Sequence, residues 1–218
     1  FQIMGSGLEH QVQPVITGTG GPDAYGYRWI DSDTAGGPTY NWIEIKGIGT
    51  QITGLGDDNV VGPFLVGFDF PYYWYTVNSF YLGSNGYIAF GDNMLEAHPF
   101  QTLPNTQRPN NTLAPLMADL DFTPQGSCWY WCNATLDTFI VEYDSVRFWN
   151  VPSSLNTFEI ILSRADSAIT FQYKTQNGTA PGTGNNLTVG MENVSGMVGL
   201  QYLHDNTPPG NALHASLA

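Results

Sequence analysis

The chain has 218 residues, with six Lys and Arg against 19 Asp and Glu and a formal net charge of −13. Phosphate backbones repel such a surface, because nucleic-acid affinity comes mainly from Lys and Arg neutralising phosphates, so nucleic acid is excluded as a partner. No apolar run approaches the roughly 18 residues a membrane span needs, and 25 Gly, 14 Pro, 12 Tyr, 12 Phe and 6 Trp favour short strands and tight turns over long helices.

Residues 1–24, ending in "TGTGGPDA", are Gly- and Thr-rich and weakly patterned, an extended lead-in able to form an edge strand. Residues 25–218 are expected to form one β-sandwich domain. Strand signals begin with "YGYRWID" and "NWIEI", which flank the acidic turn "DSDTAGGP". There Gly36-Gly37-Pro38 reverses the chain, while Asp31 and Asp33 either cap the turn through side-chain bonds to the backbone or hold Ca²⁺. "VVGPFLVGFDF", "SFYLGS" and "GYIAFG" follow, with Gly, Pro and Asn at the breaks.

"SCWYWCN" comes next. As a strand it projects Trp129 and Trp131 to one side and Tyr130 to the other. A Cys128–Cys132 disulfide is expected, pointing to an oxidising compartment and holding the rings as a rigid platform that stacks on sugar faces or anchors a protein. The alternative is that both tryptophans pack into a core. In "DTFIVEYDSVRFW" Phe139, Val141 and Tyr143 share one face, and "NTFEIILSRADSAITFQYKT" reads as a β-hairpin. Phe158, Ile160 and Leu162 alternate on its first arm; Ile169, Phe171 and Tyr173 do so on its second. "NLTVGMEN" and "GMVGLQYL" close the series. About ten strands and no convincing helix predict an all-β, two-sheet antiparallel β-sandwich.

The order "GFDFPYYW", "SNGYIAF", "APLMADLDF" resembles a β-sandwich module of bacterial, Bacteroidota-type secreted and surface proteins and is distantly similar to the nidogen-type extracellular domain. The similarity covers roughly residues 21–203. It implies an extracellular sandwich and supplies no catalytic residues. That family typically carries an aromatic where this chain has Met117 in "MADLD".

No HExxH, GxSxG or Walker loop is present, and the four histidines, His10, His98, His204 and His214, are dispersed. No catalytic residue is assigned. Besides Asp31 and Asp33, two more acidic pairs, Asp57 with Asp58 and Asp119 with Asp121, lie near strand ends and offer the hard oxygens that Ca²⁺ takes. Asn110, Asn133, Asn177, Asn186 and Asn193 begin N-glycosylation sequons. The resemblance implies a different pattern, O-glycosylation at Thr34 in "DTA", Ser145 in "DSV" and Ser167 in "DSA". The expected function is a non-enzymatic extracellular or cell-surface adhesion module that binds surface polysaccharide or a protein. A homo-oligomeric or filament-forming subunit is the first alternative, an accessory domain of a secreted protease the second.

Overall fold

The structure, a computed structural model, describes residues 18–178, 180–181, 186–205, 213 and 218. Most of the expected lead-in, with His10, therefore lies outside the described residues, as does His214. Among the described residues there are fourteen strands: β1 (Thr19–Gly20), β2 (Trp29–Ile30), β3 (Thr50–Ile52), β4 (Val60–Tyr72), β5 (Tyr75–Gly83), β6 (Tyr87–Ala89), β7 (Thr112–Ala118), β8 (Leu120–Asp121), β9 (Ser127–Cys132), β10 (Thr138–Phe148), β11 (Asn156–Ser163), β12 (Ala168–Gln176), β13 (Leu187–Glu192) and β14 (Gly199–His204). One antiparallel sheet runs β12-β11-β10-β9-β3, with β8 also on β10; the other runs β14-β13-β7-β6-β5-β4; β1 and β2 form a small separate pair.

The alternating apolar residues of β10 and β11 line one inner face of the sandwich. Phe139, Val141, Tyr143, Phe158, Ile160 and Leu162 are fully buried, and Tyr143 stacks on Phe158 at 4.6 Å between ring centroids. Two tyrosines then tie sheet to sheet. Tyr143 donates its hydroxyl toward Gly83 O (3.0 Å) and Tyr87 O (2.8 Å), and Tyr173 donates to Pro115 O at 2.5 Å. Pro115 sits inside β7 where the β7–β13 register shifts, a bulge that tolerates a residue with no N–H to give the ladder. The same bulge lets Leu113, Leu116 and Ala118 face the main core while Ala114 and Met117 face outward.

Each sheet carries a non-strand cover on its outer face. "NWIEI" alternates like a strand but pairs with none. Its backbone amides instead donate to side chains: Asn41 N to Gln172 Oε1 at 2.7 Å, Ile43 N to Glu159 Oε1 at 3.4 Å and Ile45 N to Glu142 Oε2 at 3.2 Å. The long 91–111 segment covers the other sheet. Phe100 and Leu103 join Tyr87, Ala89, Ala114 and Met117 in a second apolar cluster. Amides of that segment donate to Asn186 (from Phe100 N, 2.9 Å), Gln201 (from Leu103 N, 3.1 Å) and Glu192 (from Asn105 N, 2.6 Å).

Candidate functional site

β12 ends one sheet and β14 ends the other, so the sandwich opens on that side. Ile169, Phe171 and Tyr173 of β12 face Val189 and Met191 of β13 and Leu200 and Tyr202 of β14 across a cavity of about 330 Å³. Trp29 on β2 closes it, meeting Tyr202 edge to face at 4.8 Å. The indole lies where a Cβ on Gly20 would come within 2.0 Å of its ring nitrogen, so glycine is what lets β1 run beneath it. Gly190 is likewise fixed by close approach, because a Cβ there would stand 2.4 Å from Leu200 O.

Polar groups on this wall are few. Asp31 is only 4% exposed; its Oδ1 accepts from Thr34 Oγ1 at 2.6 Å and its Oδ2 from the Tyr202 hydroxyl at 3.3 Å. Burial, with the neighbouring Asp31 carboxylate, pushes the Tyr202 phenol well up. Arg28 is on the lining, with its guanidinium donating to Gly21 O at 3.5 Å. Backbone bonds from Thr34 N to Asp31 O (3.2 Å) and Gly37 N to Thr34 O (2.8 Å) close the turn. The acidic turn is therefore a capped turn that also walls a cavity. Asp33 is half-buried on the same turn.

The lining contains no histidine, cysteine or serine, and both Asp31 oxygens are engaged. The lining is thus mostly apolar, with Asp31 and Arg28 as its charged residues. Sequence reading missed it, because Trp29, Tyr202 and Phe171 carry only a strand signal until β12 and β14 are known to end their sheets on one side.

The CWYWC segment is strand β9, as expected, and it alternates as expected. Tyr130 packs on the core beside Phe64 at 5.4 Å between centroids, while Trp129 and Trp131 lie half-buried on the opposite face. The expected disulfide does not form: Cys128 and Cys132 are both free. Four residues of extended strand span about 13 Å, far beyond the roughly 7 Å limit between bridged Cα atoms. Burial pushes each thiol up from the ordinary thiol range.

Two of the three acidic pairs come together. Asp119 is raised to about 6, first by burial and then by Asp58, Asp57 and Asp121, with His98 opposing. Asp57 is raised by burial and by Asp121 and Asp58. Around them Asp58 Oδ1 accepts from Asn85 Nδ2 at 2.8 Å, and Asp121 Oδ1 caps Thr123 N at 2.8 Å. Asp31 and Asp33 stand apart, on the cavity turn. Among the described residues no three His, Cys, Asp or Glu side chains are placed to hold a metal ion.

Of the sequon asparagines, Asn110, Asn186 and Asn193 are buried. Asn186 and Asn193 use their amide oxygens on backbone N–H groups, so neither presents itself at the surface of the folded domain. Asn133 folds back on its own turn, accepting from Asp137 N at 3.0 Å, and Asn177 is exposed. Thr34 and Ser145 have bonded hydroxyls, and Ser167 holds a left-handed turn position at φ 59°. One aromatic outside the expected platform is prominent. Trp74, at the β4–β5 hairpin tip, is 63% exposed with Tyr25 at a right angle beside it, 5.1 Å between centroids.

No match was found among curated proteins or solved structures. A family described as NIDO related matches residues 32–216, taking in the cavity turn after Asp31, both covers and every strand from β3 to β14. That membership suggests an extracellular domain, and among the described residues no helix is long and apolar enough to cross a membrane. With this match spanning most of its length, the chain belongs to the NIDO-related, that is nidogen-related, family.

Proposed function

We propose that the domain is a non-enzymatic recognition module of a secreted or cell-surface protein, and that it takes an apolar side chain or ring of a partner protein into the cleft between β12 and β14. The cavity carries this reading. At about 330 Å³ it falls in the range of roughly 300–1,000 Å³ usual for ligand pockets, and its lining of rings and aliphatic chains with few polar groups is their usual chemistry. A polysaccharide fits this lining poorly, since its hydroxyls would leave water for a wall that offers few partners.

A second reading, glycan binding, has a specific observation behind it. Trp74 presents an exposed indole face with Tyr25 as a side wall, an arrangement suited to stacking. Self-assembly through sheet edges has less support. The long edge strand β4 contains Pro63 and two register shifts against β5, devices that blunt an edge against pairing.

Thermal unfolding separates these readings. N-acetyl-phenylalaninamide and N-acetyl-leucinamide are expected to raise the melting temperature of the wild type and not that of Val189→Phe, which narrows the cleft. Stabilisation by soluble polysaccharides alone, lost in Trp74→Ala or in Trp129→Ala/Trp131→Ala, would move the function to the aromatic faces. A melting temperature that rises steeply with protein concentration would favour assembly.

A further inference from the structure

Segment 38–46 lies on three neighbouring strands and is held by one row of side chains. Glu142 on β10 sits opposite Glu159 on β11, which sits opposite Gln172 on β12. These are the acceptors for the alternate amides of Ile45, Ile43 and Asn41. Gln172 also donates to Asn41 O and to Glu159 Oε1, each at 2.9 Å. The two carboxyl groups are essentially inaccessible, 1% exposed at Glu142 and 0% at Glu159, and Glu159 Oε2 is buried without a partner.

Apolar contact adds little, for Ile45 is the one fully buried side chain of the segment. Glycines with positive φ flank it, Gly36 at 84° and Gly47 at 92°, each in open space. Such positions absorb backbone rotation at low cost. Pro38, where the segment begins, lines the cavity.

We propose that residues 38–46 form an acid-latched strap, closed while Glu142 and Glu159 hold their protons and released when they lose them, drawing Pro38 from the cavity wall. The coupling to Pro38 rests on the cavity being the recognition site; the latch does not.

Of the facing charges, the strap contributes Glu44, Lys46 and the Tyr40 phenol, β10 contributes Asp144, and β12 contributes Lys174. Lys46 pairs with Asp144 and Lys174 with Glu44, both at 2.7 Å, so each cation already has its anion. With the buried pair neutral the patch balances; with both ionised it holds two adjacent buried negative charges and no spare cation among these groups. Burial is the largest influence on each acid and outweighs the strap's own amides, whose bonds favour the ionised form: Glu142 is raised to about 7 against the Ile45 amide, with help from Glu44 and Asp144, and Glu159 to about 8 against the Ile43 amide and Gln172, with help from Glu142 and Glu44. Both lie above the unfolded carboxylate range. The latch is thus complete below that range and lost as pH rises through about 7 to about 8.

Amide hydrogen exchange at Asn41, Ile43 and Ile45 tests the latch in the intact domain. Between about pH 5 and pH 8, after correction for base catalysis, their protection is expected to fall by up to about tenfold per pH unit for each proton released, and to level off above that. Core amides such as Val141 should hold. Glu142→Gln/Glu159→Gln should flatten the profile, and if that pair fails to fold, Glu159→Gln alone should reduce its slope. A flat wild-type profile, or the same slope in a folded Gln variant, overturns the latch. N-acetyl-phenylalaninamide affinity at each pH reads the coupling separately. Constant affinity across the opening overturns the coupling to Pro38, and no binding at any pH contradicts the cavity reading while the exchange data still judge the latch.

Discussion

The two covers solve one problem by different means. Both lay irregular backbone over a sheet and give its amides to buried side-chain acceptors, since water cannot serve them there. Glu192 beneath the long 91–111 cover is raised to about 8 by burial, much as Glu159 is beneath the short strap. The long cover also drives Phe100 and Leu103 into an apolar cluster and clamps its ends with Arg108, whose guanidinium forks onto Asp92 at 2.9 and 2.8 Å. The strap has Ile45 and its polar row. The long cover adds apolar burial that no pH change removes to its polar attachments; the strap depends chiefly on the protonation of two carboxyl groups.

Deleting the apolar anchor should show the largest difference. Phe100→Ala is expected to destabilise the domain by about 3–5 kcal/mol, the usual loss for a buried ring. Trp42→Ala in the strap should lose about 1 kcal/mol or less, since its ring is only half-buried; urea unfolding of both variants checks the contrast. Equal losses would mean the strap is packed as firmly as the long cover.

Proton linkage gives the next effect. Glu142, Glu159, Glu192 and Glu96 are all raised, to between about 7 and about 8, with burial as the first cause. The folded state binds more protons than the unfolded one in this range, so stability should decline as pH rises from the ordinary carboxylate range through about 8. Glu159→Gln should lessen that decline. Urea midpoints that climb with pH across this window would contradict the assignment.

Arg108→Ala comes next, with an expected fall in the urea midpoint, because it leaves the largely buried Asp92 carboxylate without its fork. Asp92 is held below the usual range by Arg108 and by the Asn110 and Met94 amides, against the opposing effect of burial. This contribution is present above the unfolded pKa and fades on acidification, opposite in sign to the buried glutamates. The smallest effect is expected at Asp119→Asn, a gain of about 0.5–1 kcal/mol above pH 6 after solvent screening, from relief first of its desolvation and then of its acidic neighbours. The same melts in calcium and in EDTA test the calcium expectation: a calcium-dependent rise lost in Asp119→Asn/Asp121→Asn supports it, and identical melting removes it.

The strands were legible because local alternation sets them. Phe158, Ile160 and Leu162 needed no partner to reveal a buried face. The same rule, followed further, would have ruled out the disulfide, since alternation in CWYWC already makes it an extended strand with its cysteines too far apart. The strap was read as a strand for an honest local reason, its alternation. Its partners, however, are side chains 97 to 131 residues away, and no local pattern encodes them. The acidic pairs were visible one by one, but only the turn geometry around Asn85 joins Asp57 and Asp58 to Asp119 and Asp121. The cavity depends on which strands end each sheet, a property of topology.

The most direct test of the central claim is a titration of the ε-methyl signal of Met191, on the cavity wall, with N-acetyl-phenylalaninamide in the wild type and in Val189→Phe. A saturable shift at Met191 is expected in the wild type, accompanied by Leu200 and Ile169, and its loss in the variant. A Met191 signal that stays fixed to saturating ligand, or one that moves equally in both proteins, would contradict it.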